Sequence, residues 1–519
     1  MDRYVPEIVI GFVAPSGTDF DRVTGLVAER LQHYGYSCVS IRLSGLLAQR
    51  AIESGRLSPA DEADHAKRTV ALQTEGDLYR EHVEKNDALA LAAIAEIAQA
   101  RAAKNGGIDG AALAPVDQLA YLVWSFKTPE ELVTLRSIYR SRFFVISVHT
   151  PRSERVDKLA MKIAATRHRV GSPTGEDRAD AEQIVANDEH EDAGAIANFG
   201  QNVRDAYPLA DFFVRGDDQP SVERAVDIIF GHPFLTPNRD EYAMFVANAA
   251  ALRSAELGRQ VGAAIASDFG EILATGFNEV PAAGGGQYSA ESVPDRREFV
   301  MGIDSSDEAR QLLAGQIEQS LREAGLLSHP ETSTDAIQKA LRGTHIRYLT
   351  EFGRALHAES SSLLDAARRG VGVHGATMYV TTFPCHQCTR QVIASGLKRL
   401  VYIYPYPKSL AARFHGDAIY VDGEGPAGKV PFQPFLGVAP RRYLDAFTMT
   451  RRKGDDGRAV VADNVARSPR LDPEEEGGSW EPGTWEAGTY IVREQNALRL
   501  AGDLFRAAGG RPTNAEERI

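Results

Sequence analysis

The sequence predicts an α/β protein of two parts, and three observations predict it. Short β-branched runs alternate with helix-length stretches over the first 230 residues, the rhythm of a parallel sheet covered by helices on both faces. The chain's 519 residues exceed one ordinary domain of about 100–200 residues. A turn-rich segment at Gly231-His232-Pro233 then separates two helical patterns, which puts the boundary there.

In the first part, strands are expected at residues 7–13 (EIVIGFV), 37–43 (SCVSIRL), 119–125 (LAYLVWS), 143–149 (FFVISVH) and 211–215 (DFFVR), each apolar enough to be buried on both faces. Helices are expected over 20–33, 87–103, 130–139 and 154–165. The second part opens with a helix over 240–256. A hairpin follows, 260–266 and 271–277, joined by the turn Ser267-Asp268-Phe269-Gly270. Residues 281–343, rich in Gly, Ser, Asp and Glu, interrupt the rhythm as an ordered insertion with helical spacing over 307–325. The alternation then resumes with a helix at 357–369, a strand at 377–382, a helix at 387–395 and a strand at 399–404. The expected domains are 1–230, 231–466 with the insertion 281–343, and a tail, 467–519, acidic and Pro/Gly-rich before a last helix.

Composition narrows the function classes. At 43% hydrophobic and 25% charged residues the chain reads as soluble and globular. A net charge of -13, from 58 Lys+Arg against 71 Asp+Glu, argues against polymeric nucleic acid or anionic lipid as the main partner, since both need a basic footprint. A nucleotide needs only a local pocket. Three cysteines, Cys38, Cys385 and Cys388, are too few for a disulfide framework and suit a reducing compartment. The longest Ala/Leu-rich run, 88–103, contains Glu96 and Arg101 and falls short of the roughly 20 apolar residues a membrane span requires. The opening MDRYVPEIVIGFVAP is not read as a signal peptide, and the expected location is the cytoplasm.

The chemistry concentrates in His357-Ala358-Glu359 and, 28 positions after His357, Pro384-Cys385-His386-Gln387-Cys388. This is the H-x-E…P-C-x-x-C pattern of zinc-dependent nucleoside and nucleobase deaminases. One imidazole and two thiolates leave the fourth tetrahedral position of Zn²⁺ open for water, the catalytic arrangement. The i, i+3 cysteines share a face of a helix's first turn, where the dipole favours thiolate over thiol. Glu359 is not a ligand; as general acid/base it would deliver the water proton to N3 of cytosine as C4 is attacked, and it would also protonate the departing amine. The alternative is a closed structural site with His386 as fourth ligand.

The hairpin and zinc motif resemble those of deoxycytidylate deaminases: Arg259-Gln260-Val261-Gly262-Ala263-Ala264-Ile265, then Ile272-Leu273-Ala274-Thr275-Gly276-Phe277-Asn278. The resemblance implies that Asn278 contacts the deoxyribose and Arg259 lies near the phosphate; a turn asparagine and a surface arginine are the plainer readings. Over nearly its whole length the chain is similar to the two-domain anti-phage dCTP deaminases, with Pro405-Tyr406-Pro407-Lys408-Ser409 after the post-zinc strand. That likeness implies an N-terminal P-loop-kinase-like sheet domain, a C-terminal cytidine-deaminase-like α/β/α domain and an assembly of several subunits. The implied activity is hydrolytic deamination of dCTP, and of dCMP, to deoxyuridine nucleotides, which depletes the pool phage replication needs. A dCMP deaminase of pyrimidine salvage with a regulatory N-terminal domain is the alternative. Lys408, with Arg296 and Arg297 of the insertion, is a candidate for the extra phosphates, and a regulatory nucleotide, a phage-derived signal or RNA is the candidate trigger.

Gly11-Phe12-Val13-Ala14-Pro15-Ser16-Gly17-Thr18 follows the first strand and precedes a helix, where a phosphate-cradling loop belongs, so Gly11, Gly17 and Thr18 are candidate nucleotide contacts. A working P-loop reads G-x-x-x-x-G-K-[ST]. Here the glycines stand one residue too far apart and Thr18-Asp19 replaces Lys-Ser/Thr, so phosphoryl transfer is not expected. Nucleotide sensing without turnover and a plain scaffold remain open. Lys127-Thr128-Pro129-Glu130-Glu131 resembles a nucleotide-kinase loop, though a helix start with Pro near N1 explains it equally well.

Overall fold

The first five expected strands pair with one another in parallel, and four of them are buried as continuous apolar runs; the remaining one, at residues 37–42, is an edge strand that buries only Ile41 instead of both its faces. In the computed structural model they are Ile8–Val13 (β1), Ser37–Arg42 (β2), Leu119–Trp124 (β3), Phe143–His149 (β4) and Phe212–Arg215 (β5). β1 lies between β3 and β4, β2 flanks β3 and β5 flanks β4. The structure describes residues 5–106, 114–169, 172–189, 201–327, 329, 333–341, 344, 346, 352–406, 409–423, 425–449, 452–460, 469–471 and 489–507. Among the described residues no helix is long and apolar enough to cross a membrane.

The helices Phe20–His33 and Gln219–Ile229 bury Val23, Val27, Leu31, Val222 and Val226 against one face of this sheet, alongside Ile8, Ile10 and Phe12. Helices over His65–Val83 and Gly175–Glu189 lie where the sequence reading named none. Both have almost no one-sided apolar stripe, so periodicity could not mark them.

The second sheet comprises Gly262–Ala266 (β6), Ile272–Phe277 (β7), Thr377–Thr382 (β8), Arg399–Tyr404 (β9), Ile419–Val421 (β10) and Val430–Pro434 (β11), in the order β10-β11-β9-β8-β6-β7. β6 and β7 form the expected antiparallel hairpin, β6 runs antiparallel to β8, and the remaining pairs are parallel. Two glycines set how closely helices approach. A Cβ on Gly276 would lie 2.3 Å from the Ala358 carbonyl oxygen and the Ser362 nitrogen; one on Gly262 would lie 1.9 Å from the Ala247 oxygen. Gly262 pairs with Phe277 and Ala263 with Gly276, so the two glycines point to opposite faces. The helix Ala358–Arg369 therefore packs on one face and Arg239–Ala251 on the other.

The chain forms two compact units, one of residues 1–237 with 436–519 and one of 238–435. The sequence reading carries its second domain from 231 to 466; the contacts close the second unit at Phe435 instead. The reason is Gly437–Val438 (β12), which adds antiparallel to the edge of β5, with the Ala439 N–H donating to the Asp211 carbonyl (2.9 Å). The second unit opens with Asn238, which caps the helix Arg239–Ala251 in a reciprocal capping box with Glu241. Of the tail, 467–468, 472–488 and 508–519 lie outside the described residues; its last helix, Tyr490–Ala507, buries Glu494 beside Arg101 and belongs to the first unit.

Candidate metal and proton-transfer site

His357 and the two cysteines meet because two helices begin beside each other. An antiparallel bridge, Glu279 N–H to Leu356 O (3.2 Å) and Leu356 N–H to Glu279 O (3.0 Å), delivers the chain to His357 at the N-cap of Ala358–Arg369. The cap makes no side-chain hydrogen bond, so the imidazole is not spent on its own helix. On the other side β8 ends at Thr382, Phe383 N–H binds the Tyr404 carbonyl (2.8 Å), and Cys385 becomes the N-cap of His386–Ala394. Its sulfur accepts the Cys388 N–H at 3.5 Å. His357 Nδ1 stands 3.4 Å from Cys385 Sγ and 3.3 Å from Cys388 Sγ. A tetrahedron with Zn–S of about 2.3 Å and Zn–N of about 2.0–2.1 Å has S···N edges of roughly 3.6 Å, so the donors fit one zinc ion with a position to spare.

Both cysteines are buried. The Cys385 thiol is held well below its ordinary value, first by the hydrogen bond from Cys388 and then by His357, while the His357 imidazolium is raised, first by its bond to Cys385. Glu359, in the first turn of the helix and only 3% exposed, is pushed up to about 7; burial is the main cause, opposed by His357 and reinforced by Cys385. His386 does not join the donors. Its ring meets Phe414 edge-on (centroids 5.6 Å apart), and the group of converging ligand atoms is His357, Cys385 and Cys388.

The remaining sequence candidates are scattered. Asn278, 9% exposed, spends its amide on its own hairpin: Oδ1 accepts the Val261 N–H (2.7 Å) and Nδ2 donates to the Arg259 carbonyl (2.8 Å). One N–H and one oxygen lone pair are left for a ligand. Arg259 is exposed, its guanidinium over the Tyr404 ring (5.6 Å) at the end of β9. Lys408 lies outside the described residues. Arg297 is paired with Asp295 at 2.7 Å.

Gly11 lies within β1 rather than in the loop, where a Cβ would meet the Phe126 and Phe143 rings at 2.9 and 3.0 Å. Gly17 has the positive φ (+92°) of a turn, against the Arg155 backbone, and the Thr18 hydroxyl donates to the Pro15 carbonyl (2.9 Å). The Ser16 N–H donates to Asp188 Oδ2 (2.5 Å), and the same buried carboxylate takes the Lys127 ammonium at 3.0 Å. A backbone donor and a lysine beside this loop are thus matched to a carboxylate of the protein itself.

Among the described residues a second group of converging acids, Glu256, Glu298 and Asp304, joins the loop before β6 to the insertion. Glu298 accepts from Ser305, and Asp304 caps the helix Ser305–Glu323 through the Ser306 and Asp307 N–H groups. Glu256 Oε2 is buried without a hydrogen-bond partner. Its carboxyl is raised to about 7, by burial first and then by Glu298, Asp304 and Glu279, against His357. A folded-state value above the ordinary 4.5 means the native state binds more protons between pH 4.5 and about 7, so stability falls as pH rises through that window. Glu256→Gln is therefore expected to raise the melting temperature above pH 7, with the gain closing toward pH 4.5; a gain independent of pH in thermal scans would contradict this.

Sequence reasoning also missed two polar residues beside the donors, one against the Cys388 sulfur and one behind it. Ser360 Oγ lies 3.8 Å from Cys388 Sγ and 2.6 Å from Gln391 Oε1. Their signal was local: Ser360 follows Glu359 directly, and Gln391 sits three positions after Cys388, on the same helix face. Gln287, in the insertion, donates to the Phe277 carbonyl and accepts from Ser361 Oγ (2.9 Å), tying the insertion's start to the helix that carries Glu359.

Residues 237–404, which fall in the second unit but for Pro237, match the family model of the cytidine and deoxycytidylate deaminase zinc-binding region. The chain is 37% identical over 83 residues to the deoxycytidylate deaminase of Enterobacteria phage T4, covering 16% of this chain and 42% of that protein. It is 40% identical over 73 residues to the phage T2 enzyme of the same name (14% and 38%). The chain thus spans about two fifths of the length of these curated relatives. Among solved structures, the apo dCMP deaminase of cyanophage S-TIM5 aligns at 16% identity and TM-score 0.21, over 38% of this chain and 99% of that one.

Proposed function

We propose that the protein is a zinc-dependent hydrolase that converts deoxycytidine nucleotides, dCTP and also dCMP, to the deoxyuridine nucleotides, and that depletion of the dCTP pool in antiphage defence is its role. The observation that carries the reading is the convergence of one imidazole and two thiols on a point beside a buried carboxylate. When bound, zinc supplies a Lewis-acidic position at which water becomes nucleophilic near neutral pH. Glu359, buried and raised toward neutrality, can accept a proton from water and return it. In the overall reaction the C4–N bond breaks, a C4–O bond forms, and water and cytosine leave as uracil and ammonia. Glu359 would carry one water proton to N3, where it stays in the uracil product, and the second to the leaving amine. Asn278 and Arg259 are the proposed sugar and phosphate contacts, with Lys408 for further phosphates.

The first unit, under this reading, is a degenerate kinase-like scaffold that does not transfer phosphate. Its loop already gives the Ser16 N–H to Asp188, which supports that view. The enzyme would work in the cytoplasm as a homo-oligomer. A second reading, a dCMP deaminase of salvage with a regulatory first unit, is favoured by the names of the phage relatives.

Ammonia release from dC, dCMP, dCTP, CTP and a cytosine-containing oligonucleotide separates these readings. Preferred turnover of dCTP supports the first, turnover of dCMP alone the second, and turnover of the oligonucleotide alone overturns both. Cys385→Ala is expected to lose zinc together with activity, because a two-ligand site holds the metal poorly. Stoichiometric zinc in that variant, by elemental analysis, would mean a further residue is a ligand.

A further inference from the structure

We propose that Ser360 and Gln391 are positioning residues for the Cys388 thiolate, forming a two-step hydrogen-bond relay that ends on sulfur when the metal is held. The inference rests on the zinc reading above. Ser360 is 8% exposed and Cys388 1% exposed, so the contact excludes water from that side of the sulfur. The two residues come from different helices: Ser360 from the one that carries Glu359, Gln391 from the one that carries both cysteines. Their 2.6 Å bond therefore ties the proton-transfer group to the ligand pair.

The direction of the relay follows from counting protons. A serine hydroxyl has one proton to give and lone pairs to accept with. With Gln391 Oε1 toward Ser360, the hydroxyl proton goes to the amide and the Cys388 thiol can donate to Oγ. A metal-bound thiolate has no proton and can only accept. Turning the Gln391 amide over, an assignment set by the hydrogen-bond network alone, makes Nε2–H the donor to Ser360 Oγ and frees the Ser360 proton for Cys388 Sγ. Gln391 can do this because its amide offers either polarity at one position. Partners of this kind, one step removed from a metal, are worth roughly 10–100-fold in metal affinity or activity.

The test reads the metal and not the reaction. In the Co²⁺-substituted protein, a hydrogen bond to sulfur lowers the energy of its lone pairs, so losing it shifts the thiolate-to-metal charge-transfer band to longer wavelength. Ser360→Ala is expected to show that red shift and ~10–100-fold weaker zinc binding in chelator competition, and Ser360→Thr, which keeps the hydroxyl, to restore both. Gln391→Glu can only accept, so it should take the Ser360 proton and reproduce the red shift; it decides the matter if Ser360→Ala does not fold. An unshifted band with unchanged zinc affinity in the folded variant overturns the proposal while leaving the zinc site standing. Failure of the unmutated protein to hold Co²⁺ or Zn²⁺ would instead overturn the zinc reading itself, and this inference with it.

Discussion

Glu359→Gln is expected to keep the fold and one zinc per chain while losing about 10²–10⁴-fold in deamination rate, the usual contribution of a positioned general acid/base. The substitution keeps side-chain volume and hydrogen-bonding capacity and removes only the proton-carrying group. That matters because the carboxyl is 3% exposed and a truncation to alanine would also open a cavity. Burial holds the group near 7, where it exchanges a proton at small cost in either direction. Steady-state ammonia release, metal content by elemental analysis and circular dichroism on the same preparation decide the outcome. Turnover within a few-fold of the unmutated protein would remove Glu359 from the mechanism. Loss of zinc would make it part of the metal's support.

The largest expected effect on stability lies in the first unit. Arg101 is fully buried, with Glu7 at 2.7 Å and Glu494 at 2.5 Å, and both carboxylates are as buried as the guanidinium. Glu7 further accepts from the Val116 N–H and the hydroxyls of Tyr121 and Tyr490, and Glu494 from the Tyr139 hydroxyl. Arg101→Met would leave two buried carboxylates without the guanidinium that pairs with both, a change that costs about 3–5 kcal/mol when one partner of a buried pair is removed. The loss should appear in hydrogen exchange of Ala88–Lys104 and Tyr490–Ala507, the two helices the network joins. The triple variant Arg101→Met, Glu7→Gln, Glu494→Gln should recover most of it, because replacing a whole buried ionic group is often close to neutral. A loss under about 1 kcal/mol in the single variant would mean water reaches the carboxylates.

What was legible in the sequence was local chemistry. The strands β1, β3, β4 and β5 are runs of apolar residues that declare their burial without reference to a partner, whereas the edge strand β2 buries only Ile41; the zinc donors are declared by residue type and a spacing of one helical turn. The hairpin of β6 and β7 needed only its turn and the short apolar runs on either side of it. Three features depended instead on which segments meet in space. β12 is two residues long, too short to leave a periodic signal, yet its pairing with β5 returns the chain to the first sheet and ends the second unit at Phe435. Asp188 takes the Ser16 N–H from 172 positions away, so a loop that reads as a phosphate cradle is already matched to a carboxylate.

Arg101 finds Glu494 across 393 positions. Each of the pair, taken alone, reads as a solvated charge on a helix. Residue type and short spacing thus determined the candidate metal donors, the candidate proton carrier and the strand-helix rhythm. Tertiary structure decided the unit boundaries, the partner of every buried charge and the Ser360–Gln391 contact beside Cys388. The physical reason is that ligand chemistry and periodicity are properties of one segment, whereas compensation of a buried polar group is a property of two, and nothing in either segment names the other.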